Sequence, residues 1–156
     1  MERTERDELV ARYKEGYQVV AAALDGLSEA DLDAREVPGE WSPREIVHHL
    51  ADSEMTSAIR LRLLIAEERP TLIGYDQRQF VDRLSFDRPI AHSLEAFRFA
   101  RATTPEILDR LREEDWQREG THSESGRYSV TDWLRLYGAH AHDHADQIRR
   151  AVAARR

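Results

Sequence analysis

Apolar side chains recur every three or four residues along most of this chain, the spacing that places them on one face of an α-helix. Glycine and proline, which interrupt helices, fall mainly between these stretches. The pattern predicts four long helices, at about residues 4–24, 43–68, 90–112 and 130–154. It also predicts a short helical turn in SEADLD, residues 28–33, and a kink or break of the third long helix at Pro105.

Two of the long helices begin with a recognisable start signal. The segment WSPREI places Ser42 at the N-cap, Pro43 at the first helical position and Glu45 three residues after the cap. In such a capping box the serine and the glutamate bind each other's free backbone N–H groups. The segment SVTD predicts a similar start, with Ser129 as the cap.

The connection between the second and third long helices is unusual for a helical bundle. Residues 69–89 show no clear period and are more numerous than the few residues that such a connection needs. They are enough to run along a helix of about 39 Å, so the third helix can lie parallel to the second. We therefore predict one all-α domain, residues 1–156. It is a four-helix bundle in up-down-down-up order with a long crossover between helices two and three. The pattern does not decide whether the connections contain short strands.

The composition narrows the classes of function. The 156 residues carry a net charge of −7 and include no cysteine. A cysteine nucleophile, disulfides and thiolate metal sites are therefore excluded, and the negative charge argues against a nucleic-acid partner. No apolar run approaches the ~20 residues that cross a membrane, and the charged start lacks the apolar stretch of a secretory signal. We expect a cytoplasmic protein with no membrane partner.

Three of the seven histidines fall within five positions, in HAHDH at residues 140–144. At about 100° per residue, His144 projects within about 60° of His140, on the apolar stripe that carries Trp133. His142 projects about 160° away and is expected to face solvent. Two imidazoles one turn apart are costly to bury unless both find partners, and a divalent metal supplies one for each. The pair favours a metal site over hydrogen-bonded core histidines.

The second long helix offers a third ligand in HHLADSE, residues 48–54. Periodicity alone does not decide between His48 and His49, because Val47 and Leu50 lie on opposite sides of the pair. Three histidine ligands leave coordination positions for water, which is typical of reactive rather than structural sites. The segment HAHDH lacks the glutamate that follows the first histidine in zincin proteases, so that class is excluded.

Together these segments resemble the DinB-like family of metal-binding four-helix bundles, which includes bacillithiol- and mycothiol-type S-transferases. The resemblance covers nearly the whole chain and rests on three segments: WSPREIVHHLADSE (41–54), DWQREGTHSESGRYSVTDWL (115–134) and HAHDHADQI (140–148). The family pattern has Trp-Ser, then Glu and His-Leu on the second helix. On the fourth helix it has His, three residues, His, two residues and Gln-Ile.

Position by position, the resemblance implies that His49, His140 and His144 bind a divalent ion, nickel or zinc most often. It implies no catalytic group beyond water or a thiol bound to that ion, and Gln147 stands in the expected place beside the ligands. It also implies a homodimer and, for the thiol-dependent members, a low-molecular-weight thiol as cosubstrate.

Polar residues follow His49 along the same helical stripe. Ser53, Thr56 and Arg60 are interpreted as substrate contacts, with the Arg60 guanidinium binding an acidic group; boundary positions at a bundle end are the competing interpretation. Tyr137 is a further candidate substrate contact, although packing explains it equally.

Other residues near the ligands receive simpler interpretations. Glu45 and Gln147 are candidates for orienting the ligand imidazoles, with the capping box as the alternative role of Glu45. Asp52 and Asp143 are expected to face solvent, and Arg101 to form a structural ion pair. The tryptophans, Trp41 included, are expected to pack rather than to contact a cofactor.

Two functional hypotheses follow. The first is a metal-dependent thiol S-transferase or hydrolase acting on a small molecule, since a metal ion lowers the pKa of a bound water or thiol. The alternative is a non-catalytic, metal-stabilised dimeric protein that acts in stress or in binding.

Overall fold

Serine caps fix the starts of three helices. In the computed structural model, which describes residues 1–156, Ser28, Ser42 and Ser129 each accept from the backbone N–H three residues on. The acidic residue at that third position accepts in return from the serine N–H. The two capping boxes predicted from the sequence are therefore present, and a third starts the short turn in SEADLD.

The predicted long helices correspond to four segments of the structure, and Pro105 splits the third of them into two helices. The helices are α1 (Arg3–Leu24), α2 (Glu29–Leu32), α3 (Pro43–Ala66), α4 (Gln77–Arg83), α5 (Ala91–Thr103), α6 (Pro105–Leu108) and α7 (Val130–Arg155). None of them combines the length and the apolar composition that crossing a bilayer requires.

Contacts between the long helices give their directions. His48 meets Ser93 and Glu54 meets Arg101, so α3 and α5 run parallel. The Trp133 indole donates to the Ser57 carbonyl while α7 residues further along lie near the start of α3, so α3 and α7 are antiparallel.

Helix α1 runs parallel to α7, as shown by the pairs Glu5–Arg135 and Arg12–His142. The order is therefore up-down-down-up, and residues 67–90 form the crossover from α3 to α5. This confirms the predicted four-helix bundle.

Short strands, which the sequence pattern did not decide, are present in the connection between α3 and α5 and in the connection that precedes α7. Strand β1 (Thr71–Leu72) pairs in parallel with β2 (Glu119–His122), which pairs antiparallel with β3 (Gly126–Ser129). A 3₁₀ turn at Glu113–Gln117 precedes this sheet. Because β3 leads directly into α7, the sheet fixes the crossover against the start of the helix that carries two of the histidines.

A buried ion pair ties all four long segments together at the centre of the bundle. The Arg101 guanidinium on α5 donates to Glu54 on α3 at 2.6 Å, to the Tyr13 carbonyl on α1 at 2.8 Å and to the Tyr137 carbonyl on α7 at 3.1 Å. The Tyr13 hydroxyl donates to the same Glu54 carboxylate. The expected structural ion pair of Arg101 is present, and it sits between two apolar clusters that fill the ends of the bundle.

Candidate metal centre

Three histidines meet inside the bundle where α3 and α7 pass each other. His49 lies one and a half turns into α3, and His140 and His144 lie one turn apart on the inward stripe of α7. The Nε2 atom of His140 is 3.3 Å from that of His49 and 3.2 Å from that of His144. Each of the three residues offers one ligand nitrogen, and these nitrogens all lie within 4.8 Å of one another.

The spacing of the nitrogens suits a shared metal ion. Ligand nitrogens about 2.0–2.1 Å from one ion, at angles between octahedral and tetrahedral, are separated by about 2.9–3.4 Å. The two close Nε2 separations, 3.3 and 3.2 Å, fall in this interval. An all-imidazole donor set matches the preference of zinc and nickel.

Hydrogen bonding within the protein does not account for this arrangement. The Nδ1–H of His144 donates to the Gln147 side-chain oxygen at 2.9 Å, so the Nε2 of His144 carries a lone pair. Nε2 of His140 faces two other Nε2 atoms, and a single hydrogen on it serves only one of them. A cation held by all three lone pairs gives each nitrogen a partner.

The environment keeps the three imidazoles neutral. Burial, together with repulsion from the neighbouring His144, lowers the pKa of His49 to about 3 and that of His140 to about 2. Burial also lowers the pKa of His144, while its bond to Gln147 acts in the opposite direction. Neutral imidazole is the form that donates a lone pair to a metal ion.

Aromatic rings enclose the three histidines. The Trp41 ring lies 4.7 Å from the His49 ring and 6.3 Å from the His144 ring, nearly parallel to the latter. Tyr137 meets His140 edge-on at 5.6 Å. Trp41 therefore packs, as expected, and the rings that it packs on are two of the candidate ligands.

The comparison with known proteins agrees with this geometry. The model of the DinB superfamily matches residues 12–148. This chain belongs to the DinB superfamily.

Among curated DinB relatives, a protein of Oceanobacillus iheyensis is 33% identical over 122 residues, which cover 78% of this chain and 71% of the relative. Its name is "putative metal-dependent hydrolase". The solved structure of YfiT from Bacillus subtilis superposes with a TM-score of 0.88 at 25% identity, covering 95% of this chain and 86% of YfiT. YfiT is described as "a probable metal-dependent hydrolase with an unusual four-helix bundle topology".

A second solved structure supports the four-helix bundle fold alone. TT2238, described as a four-helix bundle protein, superposes with a TM-score of 0.63 at 22% identity, covering 90% of this chain and 95% of TT2238.

The remaining histidines of the two helices have other partners in this DinB chain. His48 turns away from the site and bonds the Ser93 hydroxyl at 2.7 Å and the Arg88 carbonyl at 3.0 Å. His142 was expected to face solvent, but it is half-buried and its Nε2–H donates to the Arg12 carbonyl of α1 at 3.0 Å. The expectation was wrong because α1 packs along the outer side of α7.

Two residues were expected to orient the ligands, and only one contacts them. Gln147 bonds His144 as described. Glu45 instead accepts from the Ser42 N–H at 2.8 Å and from the Arg35 guanidinium at 2.6 and 2.8 Å. No bond joins Glu45 to a histidine, so the capping-box role is the one that the structure shows.

The four candidate substrate contacts lie along α3 and α7 beyond the histidines. Ser53, Arg60 and Tyr137 are buried, and the charge of Arg60 and the Ser53 hydroxyl both influence the Tyr137 phenol, whose pKa burial raises. The Thr56 hydroxyl donates to the Asp52 carbonyl of its own helix at 2.7 Å. Three of the four therefore lie close to one another, whereas the Thr56 hydroxyl is already occupied.

Two polar side chains beside these residues were not predicted to belong there. Asp52 was expected in solvent but is half-buried; one carboxylate oxygen has no partner, and burial raises its pKa. Tyr75, from the crossover, places a buried hydroxyl near Ser53 without a hydrogen-bond partner, and burial raises its pKa to about 12. Helical periodicity carried no signal for Tyr75, because the crossover has no period. Asp143 is exposed, as expected.

Proposed function

We propose that this chain is a metal-dependent hydrolase of a small molecule, with one divalent ion held by His49, His140 and His144. The observation that supports this most directly is the convergence of three Nε2 atoms at separations of 3.2–3.3 Å around His140. The names of the O. iheyensis relative and of YfiT support hydrolysis as the reaction class. Zinc and nickel are the proposed ions.

The protein's own residues have defined tasks in this proposal. Gln147 holds the His144 ring in the tautomer whose Nε2 carries the lone pair. Trp41 packs on the rings of His49 and His144 and helps to hold them in position. A divalent ion held by the three histidines would supply Lewis-acid activation of water at neutral pH.

Metal analysis of paired variants tests the ion site. His144→Ala should lose the bound zinc or nickel, because two histidines seldom hold a divalent ion tightly. His142→Ala should retain it, since His142 bonds the α1 backbone and not the centre. Metal content measured by mass spectrometry on protein purified without a histidine tag decides the matter. Equal metal content in both variants contradicts the proposed ligand set.

A substrate panel tests the reaction. The zinc- and nickel-loaded proteins are assayed on small esters and amides, with and without an added low-molecular-weight thiol. Turnover in thiol-free buffer that chelation abolishes supports hydrolysis. Turnover only with thiol assigns the S-transferase reaction instead, and a metal-dependent rise in melting temperature without turnover assigns the non-catalytic alternative.

The homodimer stays a prediction, which light scattering of the metal-loaded protein measures directly. A small-molecule substrate and the absence of a nucleic-acid partner are part of the same proposal.

A further inference from the structure

Arg60 differs from every other buried arginine of this protein. Four arginines are at most 9% exposed, and three of them form ion pairs with carboxylates. These pairs are Arg6 with Glu113, Arg44 with Asp33 and Glu29, and Arg101 with Glu54. No carboxylate lies within ion-pair distance of Arg60, whose Nη2 donates to the Ile73 carbonyl at 2.5 Å and whose buried Nε has no partner. A buried charge without a counter-ion is costly, so a residue of this kind calls for an anionic partner.

The groove beside Arg60 is mainly apolar. It has a volume of about 440 Å³ and runs between α3 and β1. Arg60 is the one charged residue that lines it, beside two threonines and the apolar residues Met55, Ile59, Leu63, Leu72 and Ile73. The side chains of Met55, Ile59 and Ile73 are 46, 59 and 67% exposed. Large apolar side chains exposed together around one groove mark a binding surface.

On its inner side Arg60 meets neutral polar groups. The Tyr75 ring centroid lies 6.0 Å from the guanidinium carbon, and its hydroxyl has no partner. The charge of Arg60 also acts on Tyr137 and on His122 of β2, the pKa of which is lowered first by burial and then by Arg60. Asp52 acts on Tyr75 and forms no ion pair with Arg60. The position beside Arg60 is therefore open to a carboxylate supplied from outside.

We propose that the groove binds a small molecule that carries a carboxylate on an apolar body, with the carboxylate on Arg60 and the apolar body against Met55, Ile59 and Ile73. The forked guanidinium matches a carboxylate through two parallel hydrogen bonds. The apolar side chains of the groove contact the apolar part of the ligand, as in most small-molecule sites.

Arg60 and the metal ligand His49 lie on one stripe of α3. The proposal therefore extends the proposed function, and it rests on that function where it takes the ligand to be the substrate. Arg60 follows His49 by eleven residues, about 16 Å along the axis, and both project on the same side of α3 because eleven residues make about three turns. Tyr137 lies between them, beside Arg60 and 5.6 Å from the His140 ring. A substrate of this class places its carboxylate on Arg60 and extends its reacting bond toward the histidines.

Isothermal titration with 4-phenylbutyrate and with its neutral amide, 4-phenylbutyramide, tests the groove. The probes have the same shape and differ in charge, so the wild-type chain should bind the acid at least tenfold more tightly. Arg60→Gln should abolish this preference, and Arg60→Lys should retain part of it. Arg62→Gln is the matched control, because Arg62 lies two residues along α3 and bonds Ala58 and Thr103 instead. Ile59→Ser should weaken both probes and leave the acid preference.

The same titration on metal-free wild type and on His144→Ala separates this proposal from the metal site. The preference for the acid over the amide should persist without the ion. The groove assignment would therefore stand even if the chain bound no metal. Loss of acid binding on chelation would show that the carboxylate ligates the ion and would overturn the groove assignment. Equal binding of acid and amide, or unchanged binding by Arg60→Gln, would overturn it too.

Two further measurements test a structural role of Arg60 and a dimer interface at the groove. Without ligand, Arg60→Met should melt at the wild-type temperature or above it, since the buried unpaired charge is removed. A marked fall would assign Arg60 a structural role and contradict the proposal. Light scattering of Ile59→Ser should match wild type, and its conversion from dimer to monomer would make the groove an interface between two copies.

Discussion

At the scale of single residues, the candidate centre depends on one amide oxygen that fixes a tautomer. Because the Gln147 oxygen accepts from His144 Nδ1–H at 2.9 Å, the Nε2 lone pair of His144 points at the centre. Gln147→Leu should lower affinity for zinc by about 10–100-fold, the usual effect of losing such a partner. Gln147→Glu should restore it, since a carboxylate accepts the same hydrogen. Competition with a fluorescent chelator measures the affinity, and Asp146→Asn, one residue away and exposed, is the control; equal affinity in Gln147→Leu and wild type would contradict the role.

Gly16 shows how one absent side chain sets the position of Arg101. A Cβ at this position would overlap the Arg101 guanidinium, which three hydrogen bonds, one of them to Glu54, hold in place. At a helix position with free space, replacing glycine by alanine raises the free energy of unfolding by about 0.5–1 kcal/mol. Overpacking of a filled site lowers it by about 1–3 kcal/mol. Gly16→Ala should therefore destabilise the protein in urea unfolding, whereas Gln18→Ala on the exposed side of α1 should change little. Stabilisation by Gly16→Ala would show that Arg101 moves freely.

At the scale of elements, the buried pair Glu54–Arg101 joins α3 to α5 and, through backbone carbonyls, to α1 and α7. Glu54→Gln keeps the shape but leaves the Arg101 charge without its counter-ion, which costs about 3–5 kcal/mol for a buried pair. Urea unfolding measures the loss. Glu95→Gln removes the exposed i,i+3 partner of Arg98 on α5 and should leave stability nearly unchanged, because exposed pairs contribute little. Similar losses in both variants would mean that burial does not set the strength of the Glu54 pair.

The same elements show what the sequence predicts and what it does not. Helical period, capping serines and Pro105 are local signals, and they predicted the long helices and their order because the crossover length restricts the topology. Tyr75 and the strands lie in segments without a period, and their positions depend on contacts with residues distant in the chain. The expected solvent exposure of His142 and Asp52 was wrong for a related reason: a helical wheel separates the faces of a helix but does not say which faces the neighbouring elements cover.

At the scale of the whole molecule, the metal centre would act as a cross-link between α3 and α7, which are antiparallel neighbours in the bundle. An ion that binds only the folded chain stabilises it by about 2.7 kcal/mol at a hundred times its dissociation constant. For a domain of this size each kcal/mol raises the melting temperature by about 2–4 °C, so zinc should raise it by about 5–10 °C. Calorimetry of the chelated and reloaded protein measures the shift.

The location of the stabilisation distinguishes a cross-link from weak binding of metal to surface acids. With the ion removed, hydrogen exchange should accelerate most in the first half of α3 and the middle of α7, where His49, His140 and His144 lie. The end of α3 near the strands should change less, because the Trp133–Ser57 bond and the buried Arg101 pair hold it independently of the centre. His144→Ala should show the fast pattern with or without zinc. Uniform protection of all helices by zinc, or equal protection in His144→Ala, would place the ion elsewhere on this acidic chain.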